Sequence, residues 1–276
     1  MNDIQRWRFD IQNQRNVPIF DASDVSDSND ENTFDRTAGT VRICTWYVEP
    51  SDTVLTRRRI EMERSIVDVN ADVYVLYAVR ARCVKWWDRM MAHQFNFVPL
   101  TPIVPSRAFF TRIYTRVGIE CDAMPVRTPA GASMDVNTNA YVLNIGGIRV
   151  SAVLCDNGHG LQNYETSDTV RDIHSMTDAD VVCVHSTFGS IGAPDGLDDA
   201  WTSRRPDDDG PTVDPTISYG ARAQSKTLAK FRTTQVFVTD STSVSSIFRH
   251  AMYNLADIEI KNSPSSEFMV VVDISS

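Results

Sequence analysis

Four runs of this chain, VRICTWYV (41–48), DVYVLYAV (72–79), DVVCVHS (180–186) and FMVVVDI (268–274), are almost unbroken in apolar and β-branched residues. That is the pattern of strands buried on both faces, and such strands need a packing layer on each side. The intervals supply the layers. A helix is expected over roughly 54–69, with Leu55, Ile60, Ile66 and Val67 on its apolar side and Asp52 or Thr53 as its cap. A second covers 83–93, where Trp86, Trp87 and Met90 read as core anchors rather than a stacking platform. A third covers about 163–176 and a fourth lies around 244–255. Shorter β-type runs follow at FNFVPL (95–100), AFFTRIYTR (108–116), IECDAMPV (119–126), AYVLNI (140–145), IRVSAVLC (148–155) and TQVFVTD (234–240). Gly146-Gly147 is a two-residue hairpin signal. Strands paired partly in parallel and partly in hairpins, with helices between them, make a mixed α/β sandwich. A chain of 276 residues is long enough for one large domain or two small ones.

Two stretches break the pattern. Residues 1–38 read as an acidic N-terminal arm ahead of a domain at 39–276. The arm's segment FDASDVSDSNDENTFD has no apolar period and is expected to be flexible unless a partner surface or an assembly holds it. The polar stretch 189–228 includes PDDDGPTVDP, and a loop as long as 202–228 usually carries function or contacts.

The net charge of −9 argues against a nucleic-acid partner. Arg57, Arg58 and Arg59 cluster, but Glu61 and Glu63 follow, as on a solvated helix face. The five cysteines, Cys44, Cys83, Cys121, Cys155 and Cys183, have no C-x-x-C spacing and read as reduced thiols, buried at 44, 155 and 183. No apolar run approaches a membrane span, and MNDIQRWRFD lacks the pattern of a signal peptide. An intracellular, cytoplasmic setting, or incorporation in a viral particle, is expected.

Short motifs in order along 41–276 carry a resemblance. Thr45-Trp46-Tyr47-Val48 is similar to a first strand ending Thr-Trp-Asn-Val, and Asp72-Val73-Tyr74-Val75-Leu76-Tyr77-Ala78-Val79 to Asp-Val-x-x-Leu-Gln-Glu-Val. Gly196-Leu197-Asp198-Asp199-Ala200-Trp201 with Gly210-Pro211-Thr212-Val213-Asp214-Pro215 is similar to Leu-x-Asp-Ala-Trp followed by Thr-Trp-Asp-Pro. Arg232-Thr233-Thr234-Gln235-Val236-Phe237-Val238 resembles Arg-Ile-Asp-Tyr-Ile-Phe-Val, and Pro264-Ser265-Ser266-Glu267 resembles Pro-Ser-Asp-His. Together they resemble the endonuclease/exonuclease/phosphatase superfamily, which includes abasic-site nucleases and tyrosyl-DNA phosphodiesterases. The resemblance implies a four-layer α/β/β/α sandwich with two mixed sheets.

It also implies what has changed. Tyr47 stands where active relatives have the Asn that organises the phosphate site. Ala78 stands at the principal magnesium ligand, with Tyr77 replacing Gln. Ser186 and Phe188 occupy the Asp and Asn positions of Gly-Asp-x-Asn, Thr234 the Asp of Arg-Ile-Asp, and Ser266-Glu267 the terminal Asp-His. A further family His aligns near Cys155-Asp156. Magnesium needs hard oxygen ligands, and metal charge supplies most of what a phosphoryl-transfer site offers. The expectation is therefore a pseudoenzyme without a metal or other cofactor. It would be kept as a structural or assembly subunit with protein partners or copies of itself. The alternatives are a divergent active metal-dependent phosphodiesterase or nuclease, and a non-cleaving nucleotide or nucleic-acid binder. His185 with His159, Cys155 and Asp156 is a conceivable replacement site, although His185 reads as a hydrogen-bonded structural residue. Asp207, Asp208 and Asp209 lack the alternation and distal Glu of a calcium loop and read as a solvated acidic loop.

Overall fold

The computed structural model describes residues 6–10, 15–19, 38–48, 56–102, 109–126, 138–155, 163–187, 189–213, 232–250 and 269–275. The chain divides into two compact units, Met1–Thr33 and Phe34–Ser276. In the first, β1 (Arg6–Asp10) and β2 (Arg15–Ile19) form an antiparallel hairpin with Trp7 opposite Pro18 and Arg8 opposite Val17. The sequence reading placed no element there. The aromatic and β-branched residues Trp7, Phe9, Val17 and Ile19 favour extended backbone. The acidic segment 20–35 lies outside the described residues.

The second unit holds β3 (Val41–Tyr47), α1 (Thr56–Val69), β4 (Val73–Arg80), α2 (Val84–Phe95), β5 (Phe97–Pro99), β6 (Phe109–Arg116) and β7 (Cys121–Pro125). These are followed by β8 (Thr138–Ile145), β9 (Ile148–Cys155), α3 (Asn163–Thr177), β10 (Val181–Ser186), β11 (Asp198–Asp199), α4 (Ala200–Arg204), β12 (Thr234–Val238), β13 (Ser243–His250) and β14 (Met269–Ser275). Among the described residues the strands form two six-stranded sheets, in the orders β13-β14-β3-β4-β6-β5 and β11-β12-β10-β9-β8-β7. Both are mixed: β3 runs parallel to β4 and β9 parallel to β10, and the remaining pairs are antiparallel. Gly146 (φ 59°) and Gly147 (φ 92°) close the β8–β9 hairpin, a turn that needs positive φ at both central residues.

Because strand side chains alternate between faces, the buried runs feed three apolar layers. Ile43, Val73, Val75 and Ile113 meet Leu143, Val150, Ala152, Val181 and Val236 between the sheets. Trp46, Tyr74 and Leu76 on the outer face of the first sheet meet Met62 and Ile66 of α1 and Trp87, Met90 and Met91 of α2. Val153, Val182, Val184 and Phe237 on the outer face of the second meet Val170 and Ile173 of α3. The expected four-layer α/β/β/α sandwich results. Each layer encloses one buried free thiol: Cys183 between the sheets, Cys44 on the α1/α2 side and Cys155 on the α3 side.

Several local expectations change. Among the described side chains of α1 the buried apolar positions are Met62, Ile66 and Val69, at spacings of four and three, which turns Val67 outward to 47% exposure. Glu63, read as solvated, is buried because it lies three residues from Ile66 on the packed side. Leu55 and both candidate caps, Asp52 and Thr53, lie outside the described residues. Trp87 and Met90 are buried, and Trp86 packs edge-on against Trp87 at 4.9 Å. The helix expected around 244–255 is strand β13 through His250, because seven of its residues register against β14. Tertiary pairing outweighs local helical spacing there. The stretch 189–228 is not all loop either. Asp199 caps α4 by accepting from the backbone N–H of Trp201 and of Thr202, and Trp201 is buried.

Candidate functional site

Near the C-terminal ends of β3, β4 and β10 three rings meet between the sheets. Tyr47 and Tyr77 are register partners across the parallel β3–β4 pair. His185, one residue from the end of β10, stacks on both. Its ring lies 4.4 Å from that of Tyr47 with 15° between planes, and 5.6 Å from that of Tyr77 with 29° between planes. The Tyr77 hydroxyl donates to the Cys183 carbonyl at 2.8 Å, tying the first sheet to the second. His185 Nδ1 lies 3.1 Å from Thr234 Oγ1, and these two residues face each other across the β10–β12 ladder.

This stack is electrically quiet. Burial lowers the His185 pKa to about 3, so the ring is neutral at physiological pH. Burial likewise holds the Tyr77 phenol well above its ordinary range and pushes the Cys183 thiol up to about 12. His185 is thus a poor candidate for a general acid or base near neutrality.

The other candidates sort as follows. Ala78 is buried beside the stack, at a register shift between Leu76 and Val79, with φ of +57°. Ser186 is fully buried, and its backbone N–H donates to the Thr233 carbonyl at 2.7 Å. Thr234 is buried and receives the His185 contact, while its N–H donates to Thr212 Oγ1 at 3.3 Å. Phe188, Ser266, Glu267, Asp156 and His159 lie outside the described residues. Cys155 and His185 do not converge. Ser186 pairs with Cys155 across β9–β10, so His185 lies one residue out of step and points to the opposite face. The Cys155 thiol packs against the α3 side, where burial pushes it up to about 12. Asp208 is a turn residue: its carbonyl accepts from Trp201 Nε1 at 3.0 Å and its Oδ1 from the Gly210 N–H at 2.8 Å.

Does this set of side chains suit a divalent cation? Tyr47, Ala78, Ser186 and Thr234 offer no carboxylate. Asp199, on the same sheet as His185, is saturated. Its Oδ1 accepts from Trp201 N at 2.9 Å and Arg232 Nη1 at 3.2 Å, and its Oδ2 accepts from Arg232 Nη2 and from Gln235 Nε2 at 3.1 Å. Among the described residues no group of three His, Cys, Asp or Glu side chains gathers. Hard-cation coordination requires several free oxygen ligands, and the described residues here do not fit it.

Sequence reasoning missed the Asp199–Arg232–Gln235 network as a unit, although both halves lay within quoted motifs. It also missed Thr212, whose hydroxyl accepts from Thr233 N at 2.8 Å and meets Thr233 Oγ1 at 2.9 Å. The signal was present in the pairing of an Asp-Ala-Trp motif with a distant Arg.

Layer order and sheet order are those of the endonuclease/exonuclease/phosphatase fold. The chain superimposes on D. rerio TDP2 complexed with a single-strand DNA product, with a TM-score of 0.64 and 14% identity, covering 86% of this chain and 99% of that one. An endonuclease/exonuclease/phosphatase from Bacteroides vulgatus gives a TM-score of 0.57 at 14% identity, covering 86% and 98% of the two chains. The human Nocturnin catalytic domain with bound sulfate gives 0.54 at 12% identity, covering 86% and 93%. No family model matches the chain, and no curated protein sequence matches it.

Proposed function

We propose that this chain is a non-catalytic member of its fold class, serving as a structural or assembly subunit of a larger complex or a viral particle. The observation that carries this reading is the Tyr47–His185–Tyr77 stack. It sets three rings at the strand ends where the family resemblance implies a cation and its carboxylates. Phosphoryl transfer depends on positioned charge, and this stack, with His185 held neutral by burial, supplies none.

The test is a magnesium and manganese titration with bis(p-nitrophenyl) phosphate and with single-stranded DNA. We expect turnover indistinguishable from a protein-free blank, with or without chelator. Chelator-sensitive turnover that is lost in Glu267→Gln or Asp156→Asn would establish the divergent active enzyme instead. D. rerio TDP2 holds a DNA product. Salt-sensitive DNA binding without cleavage would make this chain a binder, an outcome the net charge of −9 weighs against.

The acidic arm is the proposed contact element. Deleting residues 1–36 should leave a folded chain with an unchanged thermal melt while lowering the assembled mass measured by light scattering. An unchanged oligomer after deletion removes the arm from the proposal.

A further inference from the structure

Helix α2 carries its surface charge unlike the rest of the molecule. Lys85 and Arg89 are exposed and lie four residues apart, with exposed His93 four further on, so the three form a row along one face. The other exposed positions of the helix, Ala92 and Gln94, are not acidic. Its one carboxylate, Asp88, is committed elsewhere. Arg112 Nη2 donates to both Asp88 oxygens at 2.8 Å, and the Tyr114 hydroxyl donates to Oδ1 at 2.8 Å.

Among the described side chains, every arginine and lysine except Lys85 and Arg89 has an interaction partner. On α3, by contrast, the exposed Arg171 is flanked by Asp168 at 2.7 Å and Asp172 at 3.9 Å. Two cations one turn apart on a helix repel each other. Lys85 also stands in the first turn, where the positive end of the helix dipole disfavours a cation. An anionic segment laid along the row relieves both penalties.

The chain contains a segment of the opposite kind. Residues 20–35 include Asp21, Asp24, Asp27, Asp30, Glu31 and Asp35, and no Lys or Arg. We propose that the Lys85–Arg89 row of α2 is the docking surface for the acidic segment 20–35 of a second copy of this chain. The inference rests on the assembly reading above and gives the arm its target. With a net charge of −9, copies repel on average, so a contact between them has to pair local charges of opposite sign. Arm and row are different surfaces. Reciprocal exchange of two arms therefore closes a dimer, and arms passed onward build a ring or a filament.

The test uses the full chain, full-length Lys85→Glu/Arg89→Glu, and the chain lacking residues 1–36, each by light scattering over a concentration series. The charge-reversed chain should associate about tenfold more weakly than the parent, the scale of two surface ion pairs. Its melting temperature should hold or rise, because an acidic residue in the first turn suits the helix dipole. The parent's association should weaken as salt is added. Mixing the charge-reversed chain with the arm-deleted chain should restore association, since one supplies an intact arm and the other an intact row.

If arm deletion weakens association and charge reversal does not, the α2 site is overturned and the assembly reading stands. If neither does, the arm falls from that reading too. Weakening in both without recovery on mixing rules out docking between copies. A parent that stays monomeric overturns the proposal and leaves only partners other than a second copy. Single-stranded DNA binding that is lost on charge reversal while association is unchanged makes the row a nucleic-acid contact and also overturns the proposal. Should the charge-reversed chain fail to fold, Lys85→Ala/Arg89→Ala takes its place in each comparison.

Discussion

Strand β3 begins in one kind of chemistry and ends in another. At its start, Arg42 is fully buried and makes a two-pronged pair with Asp273, Nε to Oδ1 and Nη2 to Oδ2, each at 2.7 Å. Nη1 adds the Val69 carbonyl at 3.1 Å, and Ser246 Oγ donates to Asp273 Oδ2 at 2.8 Å. At its end, Tyr47 lies against a neutral imidazole. The chain therefore tolerates buried charge where both carboxylate oxygens have donors, and it has put rings at the end where the family resemblance implied reactive charge. A buried ion pair is kept in place mainly by the penalty for breaking it. A ring stack has no such penalty but resists protonation.

Breaking the charged end should have the largest effect. Asp273→Ala strands the Arg42 guanidinium, and urea denaturation should show a loss of about 3–5 kcal/mol, whereas Arg42→Met/Asp273→Leu should cost less than Asp273→Ala alone. If the double variant is the less stable of the two, the pair itself is stabilising and the contrast drawn here is wrong.

The neutral end should announce itself through pH. An unfolded imidazole takes up a proton below about pH 6.5, whereas the folded site keeps His185 neutral down to about pH 3. The unfolded state binds more protons across that window. The stability contributed by the neutral ring is complete above pH 6.5 and falls by about 1.4 kcal/mol per pH unit below it. Urea midpoints of the parent and of His185→Phe, taken from pH 7 to pH 5, should diverge in slope, the variant being flatter. Parallel slopes would mean that the ring is protonated in the folded state.

The smallest effect belongs to Ala78. A methyl-bearing residue at φ of +57° is strained. Ala78→Gly should therefore stabilise the protein by about 0.5–1 kcal/mol, read as a raised melting temperature. A lowered one would show that the buried methyl group contributes more through packing than the backbone loses through strain.

Much of this architecture could be read from residue order. The runs around Ile43, Val75, Cys183 and Val271 are so continuously apolar that only a strand covered on both faces accommodates them, and Gly146-Gly147 permits little but a tight hairpin. Where the outcome depended on distant partners, local pattern failed. Val244, Ile247 and Phe248 suit a helix by spacing and became a strand because β14 was available. The helix α4 was hidden by its brevity and polarity, although Asp199 ahead of Ala200-Trp201 was a capping signal. The ring stack was beyond reach for the same reason. It joins residues of two sheets, with Tyr77 and its acceptor Cys183 separated by 106 positions. Tyr47 and Tyr77 were legible as substitutions in a family pattern. That His185 would fill the gap between them was not.

The three enclosed thiols give the molecule an internal clock. Cys44, Cys183 and Cys155 sit one in each apolar layer, and burial raises all three well above the range in which thiols react at neutral pH. A brief pulse of alkylating reagent during unfolding, read peptide by peptide in a mass spectrometer, would time the opening of each layer separately and show which one lets go first.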